Sequence, residues 1–558
     1  MQPGPVRLGV TSIAFAILLS SVATSITDAA PPAKPPQVVD CGAGGTIAGA
    51  LASGLKVITV RGTCTENVTI TQDDVTIRTD GANFATIQAL DPSRPTVLLD
   101  GARRIVVDGV FSNGITIAGG TNGLNAIRGA TVDVTSCVIQ SNTSNGVIAS
   151  YGSTITVDQC LIQNNNGNGG TAANAATLVV TNSTVTANTA IGLLGIRSAH
   201  LRVGQDFAGT QTVKAVTITN NGTNGLVITD NSAGIVVGGS VTNNASTGIF
   251  VGRGSGAEIG QGSGALIAGV TVQGNHHGIS VEGANATILD STVTLNDLTG
   301  IIVTNAGSAR IGIRNDSSAY SGNTITNNGS NGIHVAIGGS AFIGGNTIAG
   351  NGTDATAGLG RFGIGVFQAA ATLAGNNTIQ GNAASGVFAR AGSVFIGDPN
   401  FGSLPTHNFI GFNGNSDATR GGIFAFQGGT ILVRDATISD NGGAAIQAFE
   451  NGVIELRAST VTTSTGANGG GPPTTSGIAA NLGSIVRLRD TSSVISPGGD
   501  GAQVGTLSSI DIANEATPST VRGNGATGVG VRCSGNSSLT GPLTNVSGTA
   551  GQTSGCFP

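Results

Sequence analysis

A twelve-residue phrase in this chain is used twice. Residues 131–142 read TVDVTSCVIQSN and residues 154–165 read TITVDQCLIQNN, 23 residues later, with Cys137 and Cys160 at the same place in each copy. The interval is not confined to these two copies. Asparagines close short β-rich phrases at Asn142, Asn165, Asn188, Asn220, Asn243, Asn275, Asn296, Asn327, Asn351 and Asn382, in steps of about 23 or about 31 residues. Gly-aliphatic phrases follow them, among them NGVIA (145–149), NGLVI (224–228), TGIFV (247–251) and NGIHV (331–335). Internal periods of this length are the signature of a solenoid, whose repeats bury their core only against one another.

The kind of solenoid follows from the phrases themselves. No 3.6-residue periodicity survives in them, which excludes helical repeats. The chain holds 91 Gly, no Trp, and only 9% charged residues, a composition foreign to helical bundles and coiled coils. Its 39% hydrophobic residues are enough to bury a core, so it is not a disordered chain either. Short β-branched runs split by Gly, Asn and Ser read as many short strands joined by tight turns. Strands of stacked coils lie parallel and about 4.8 Å apart, so equivalent residues stand above one another. An Asn repeated in such a column can bond along the stack and satisfy turn backbone that would otherwise be buried unpaired.

Stacking also explains the cysteines. Residues one coil apart have Cα atoms near the strand spacing, within reach of a disulfide. The six cysteines fall into pairs 23 residues apart: Cys41 with Cys64, Cys137 with Cys160, and Cys533 with Cys556. Three disulfides are therefore expected, one of fifteen connectivities that six cysteines allow. Zinc is the rival reading, but no CxxC is present and no His lies near these positions. No metal site and no cofactor are expected.

The alternation of N-x-I/V-x-x-N with G-I-x-V, and phrases such as RIG…GNTITNNGSNGIHV (310–335), resemble the right-handed parallel β-helix repeat proteins of the pectin-lyase-like superfamily. The resemblance covers the chain from about residue 40. It implies an all-β, single-domain right-handed parallel β-helix with a short N-terminal capping helix, here TIAGALAS (46–53). The expected layout is a secretion signal at 1–30, a Pro-rich linker at 31–37, the N-terminal cap and first coil at 38–66, repeats at 67–532 and a C-terminal cap at 533–558. The first 30 residues carry Arg7, an apolar run and small residues at SVA (21–23), the order of a secretory signal. The expected location is thus extracellular or periplasmic, with no membrane span in the mature chain. Net charge is only −5 and the Arg are scattered singly, so no nucleic-acid partner is expected.

The superfamily includes polysaccharide lyases, hydrolases and epimerases as well as non-catalytic proteins, and the enzymes carry recognisable residue sets. The only Asp-Asp here is Asp73–Asp74, close to the N-terminal cap; NHHG (275–278) is the nearest His phrase, and Arg310-Ile311 is followed by Gly312 rather than Lys. Asp398-Pro399-Asn400 approaches the epimerase motif but lacks its His. No acidic cluster at one-coil spacing suggests a calcium site. His276 and His277 are neighbours that point opposite ways on a strand; one is expected in the stack and the other in solvent. Arg197, Asp230, Arg253 and Glu282 fall near one column and suggest a solvated charge ladder rather than a catalytic set.

Phenylalanine is distributed unevenly, with ten of 17 between Phe362 and Phe449. On the Gly-aliphatic strand the first and third residues after Gly are regularly Ile, Val or Ala and face the core, so the second and fourth face out. That places Phe367, Phe388, Arg390, Phe424, Phe426 and Phe449 on one outer face, a platform for sugar rings or for another protein. The competing expectation is that the irregular stretch 395–420 folds over these rings. The sequence is read as a secreted β-helix that binds extended polysaccharide without evident catalytic residues. The alternatives are a polysaccharide lyase or glycoside hydrolase, and a structural surface protein. Oligomeric state is not legible.

Overall fold

The computed structural model describes residues 37–558 apart from 82, 111–113, 207–211, 264–265, 357–359, 398–403, 415–419, 464–475, 514–518, 527 and 557–558. The expected secretion signal, nearly all of the linker, and Asp398-Pro399-Asn400 lie outside these residues.

One coil shows how the chain turns. Thr131–Thr135, Cys137–Gln140 and Val147–Ser150 are successive strands, and each joins the equivalent strand of the neighbouring coil in parallel. Repeated along the chain, they build three parallel sheets, called here A, B and C in the order the coil visits them. Register is strict: Val132 stands on Ile155, Ile139 on Ile162, and Ala149 on Ala172. The corners are made by single residues or pairs in the left-handed region, here Ser136 (φ 57°), Ser141 (φ 56°) and Tyr151–Gly152 (φ 53° and 72°). A left-handed non-Gly residue costs about 1–2 kcal/mol, so something must hold these corners.

Two side-chain ladders do so. At the B–C corner, Asn142, Asn165, Asn188, Asn221, Asn244, Asn275, Asn296, Asn328, Asn351, Asn382, Asn413 and Asn441 are stacked and buried. From Asn165 on, each side-chain carbonyl accepts the backbone N–H and the side-chain amide of the Asn one coil earlier, as Asn165 does for Asn142 at 3.2 and 2.8 Å. The sequence places Asn220, Asn243 and Asn327 in this column, and the structure corrects all three by one residue. Each is the first of an Asn-Asn pair and is itself the left-handed corner residue, with φ of 55°, 54° and 55°. The second Asn turns inward and makes the ladder.

The A–B corner carries a second column of Ser and Asn, including Ser291, Asn323, Asn346, Asn377 and Asn408, bonded in the same way. Cys137 and Cys160 stand in it. They are stacked as expected, but the expected disulfide is absent and both are buried free thiols. The column explains why. The Cys137 N–H donates to Cys160 Sγ (3.3 Å) and the Cys160 N–H to Ser183 Oγ (3.0 Å). Each thiol in turn donates to the carbonyl two residues back, Thr135 or Asp158, at 3.1 Å. The sulfurs thus do the work of Ser hydroxyls, and the hydrogen bond between the pair, with burial, pushes the Cys137 thiol well above its usual pKa.

The other two pairs are disulfides, Cys41–Cys64 and Cys533–Cys556, with Cα atoms 4.9 and 4.7 Å apart. The first lies beside the helix Ile47–Ala52, whose Ile47, Ala50 and Leu51 are buried against the first coil. The Glu66 carboxylate accepts the Ile47 and Ala48 N–H groups at 2.7 and 2.9 Å, and Thr46 Oγ1 accepts that of Gly49. Glu66 and the two sulfurs of Cys41 and Cys64 lie close enough together to suggest a metal site, but the sulfurs are bonded to each other and the carboxylate caps the helix. One continuous apolar core runs from Val39 to Val546. Among the described residues no helix is long and apolar enough to cross a membrane.

Candidate functional site

The outer face of sheet C is where the aromatic residues gather. Along Ile364–Phe367, Val387–Arg390, Ile423–Phe426 and Ile446–Phe449, the first and third residues enter the core and the second and fourth point outward. The register stacks Phe388 on Phe424, and Phe367, Arg390, Phe426 and Phe449 in one column. The alternation expected from sequence is therefore met, but exposure of Phe388 is not. Phe388 is only 3% exposed and centres a separate apolar cluster with Phe362 and Ala384. Phe362, from the turn before its strand, lies parallel to Phe388 with ring centroids 4.3 Å apart.

Around that hub, Phe367, Phe424 and Phe426 are half-buried, at 5.3, 5.4 and 6.4 Å from Phe388. Phe449 extends the row, 5.7 Å from Phe424. Part of the covering expected from the stretch before residue 420 is present, since the Arg420 guanidinium lies 5.6 Å from both the Phe362 and Phe424 rings. Arg390 sits 6.0 Å from the Phe426 ring and bonds Gln427 Oε1 at 2.6 Å. Between these side chains remains a cleft of about 90 Å³ lined by Phe367, Phe388, Arg390, Arg420, Phe424 and Phe426. His334 continues the face one coil earlier, stacked 4.9 Å from Phe367, and burial lowers its pKa.

The remaining candidates separate. Asp73 and Asp74 are both paired with Arg104, a surface arrangement near the cap. Asp230 and Arg253 form one rung of the charge column at 3.3 Å, while Glu282 accepts the Ser280 hydroxyl within its own strand. His276 is exposed; His277 is half-buried, and desolvation, with His276 and His334 nearby, lowers its pKa to about 4. The two rings meet edge to face at 4.9 Å.

A larger concavity lies on sheet A, where sequence reasoning looked for nothing. It is a groove of about 760 Å³ floored by Ala233, Ile235 and Gly256. Arg202, Ile235, Glu258, Thr287 and Arg310 occupy one outward column of successive coils. The extra residues of the longer coils build its wall. Arg202 Nη1 donates to Asp206 O (2.8 Å) and Ser263 Oγ (3.4 Å), and Arg310 Nη2 to Arg314 O (2.8 Å) and Ser317 Oγ (2.6 Å). Asn315 accepts the Thr287 hydroxyl at 2.6 Å and donates to Glu258 at 3.3 Å. Burial raises the Glu258 pKa, opposed by the charge of Arg202. Among the described residues Glu258 is the one carboxyl lining the groove, so these residues supply no pair of the kind glycoside hydrolysis needs. The signal in the sequence is the third residue of HLRV, AGIV, GAEI, NATI and SARI, which falls in this column.

No curated protein matched the sequence. Among solved structures, the A-modules of Azotobacter vinelandii mannuronan C-5 epimerases AlgE4 and AlgE6 are 13% and 12% identical, with TM-scores of 0.23 and 0.21. The AlgE4 alignment covers 92% of this chain and 94% of that one, and the AlgE6 alignment 91% and 93%. Bacteriophage CBA120 tailspike protein 3 is 11% identical over 91% of this chain and 58% of its own, with a TM-score of 0.19. Scores this low carry no argument about the site. The family model for the right handed beta helix region matches residues 103–262 and 255–403, more than half of the sequence. With its parallel coils and stacked ladders, the chain belongs to the right-handed β-helix family.

Proposed function

We propose that this protein binds an extended polysaccharide along the outer face of sheet C. The observation that carries the reading is the row of half-buried rings Phe367, Phe424, Phe426 and Phe449 across four stacked coils, with Arg390 on the coil between Phe367 and Phe426. Rings spread over four stacked coils offer apolar faces to consecutive sugars of a chain lying along the stack, and the guanidinium on the coil between Phe367 and Phe426 adds a donor for hydroxyl or acid groups. Phe388 and Phe362 are the foundation that holds the outer rings in place rather than contact residues. Among the described residues, the Glu450 carboxylate next to Phe449 is engaged by Gln427 at 2.9 Å rather than left open to a sugar. Binding rather than cleavage is therefore the reading, and secretion fits the two disulfides.

The test is the double variant Phe424→Ala/Phe426→Ala, followed by affinity electrophoresis in gels cast with soluble polysaccharides. Loss of two stacking rings should weaken retention by about 1 kcal/mol or more, at least fivefold. Retention equal to that of the unaltered protein would remove the platform from consideration. Phe388→Ala should instead lower stability, because its ring is buried.

A further inference from the structure

The groove on sheet A lies on a different face of the coil from the aromatic row and shares no residue with it. We propose that it is a second binding site, for a short linear saccharide that carries acidic groups. Its lining runs from Thr177 to Ser308, six successive strands of sheet A, so it is roughly 24 Å long at the strand spacing. Its volume of about 760 Å³ lies within the range of ligand-binding clefts.

Several features select the ligand. The backbone of sheet A is consumed by its parallel ladder, so an extended peptide would find no main-chain partners and recognition must come from side chains. Those side chains are hydroxyls and amides, namely Thr177, Thr287, Ser308, Asn285 and Asn315, over a small apolar floor. That combination suits a chain rich in hydroxyls. The charges then specify acid groups. Arg202 and Arg310 stand two coils on either side of Glu258, roughly 9–10 Å from it in each direction. Both guanidinia are held against the wall by bonds to a backbone carbonyl four residues on and to a serine, which fixes them before any ligand arrives. Arg310 Nε is buried with no hydrogen-bond partner among the described residues. The two guanidinia thus present fixed positive charge to a carboxylate or sulfate lying in the groove.

Gly256 makes the proposal testable. It lies mid-floor in an extended strand, and a Cβ placed there meets nothing within 4 Å. Gly256→Phe should fill the groove without disturbing the coil. The exposed Ala233, beside it in register, gives Ala233→Phe as an independent blocking variant. The probes are tetragalacturonic acid, a heparin-derived tetrasaccharide and neutral cellotetraose, with binding to the full chain read by calorimetry. The expected result is binding of at least one acidic probe to the Phe424→Ala/Phe426→Ala protein, in which the sheet C row is disabled, weakened tenfold or more when Gly256→Phe, Ala233→Phe or Arg310→Gln is added. Which acidic probe binds distinguishes carboxylate from sulfate recognition. The proposal is overturned if neither acidic probe binds. It is also overturned if cellotetraose binds the Phe424→Ala/Phe426→Ala protein as tightly, or if both blocking substitutions, folded by their melting curves, leave binding to that protein unchanged. Because the aromatic row is probed by separate substitutions, either site can fail without the other.

Discussion

The most informative single perturbation lies in the asparagine ladder, at the pair Asn327–Asn328. Asn328 is fully buried; its Oδ1 accepts from Asn296 N (3.2 Å) and Asn296 Nδ2 (2.9 Å), and its Nδ2 donates to Val293 O (3.1 Å) and Asn351 Oδ1 (2.9 Å). Asn328→Ala removes all four bonds and leaves the Asn296 N–H without this partner. At about 1 kcal/mol net for each bond, with a further penalty of about 1 kcal/mol for an orphaned buried donor, the loss is about 3–5 kcal/mol. Asn327 has a different task, supplying a left-handed corner at φ 55°. Asn327→Ala should cost about 1 kcal/mol, and Asn327→Gly should be close to neutral. A solenoid need not unfold in one step, so a single global free energy is the wrong readout. Native-state hydrogen exchange is the right one, comparing amides of the coils around Asn296 and Asn351 among the variants. Asn328→Ala should lower their protection by at least a hundredfold and Asn327→Ala by less than tenfold. Equal effects, or the reverse order, would refute the assignment of the ladder to the second Asn.

Other expectations follow from the caps, the thiols and the buried imidazole. Alkylation should leave Cys137 and Cys160 untouched in the native protein and label both after denaturation without reductant; a mass showing three disulfides would contradict their role as hydrogen-bonding residues. Glu66→Ala should destabilise the first coil by about 1–3 kcal/mol, since two helix N–H groups lose a charged acceptor, and limited proteolysis should then begin at the N-terminal cap. His277 has a folded pKa of about 4, below the ordinary value of 6.5, so unfolding takes up a proton there between those pH values. Its contribution is present above about pH 6.5 and is lost as pH falls toward 4. The melting temperature should drop over that window less steeply in His277→Gln than in the unaltered chain, and identical slopes would show that another group controls the decline.

Much of the architecture is legible because stacking turns sequence period into spatial register. The 23-residue interval between Cys137 and Cys160 does place them in one column, and the alternation that sends Ile423 and Ala425 inward and Phe424 and Phe426 outward is read directly. What escapes depends on contacts that period does not encode. Asn-Asn doublets offer two residues for one column, and backbone conformation decides between them. Stacked thiols satisfy the conditions for a disulfide in sequence, yet their neighbours in the column are serine and asparagine, and they adopt the same hydrogen bonds. Phe388 is covered by Phe362, from a turn, and by its stacked neighbours. The sheet A groove is hidden because insertions of unequal length separate Arg202, Glu258 and Arg310, so no fixed step connects them.

The central claim is that the molecule holds a polysaccharide without cutting it. The direct measurement is size-exclusion chromatography of soluble acidic and neutral polysaccharides after incubation with the purified, oxidised protein, following both chain length and protein. The account predicts chains of undiminished length that co-elute with the protein, and loss of co-elution in Phe424→Ala/Phe426→Ala. Shortened chains with new reducing or unsaturated ends would contradict it and make the protein a hydrolase or a lyase.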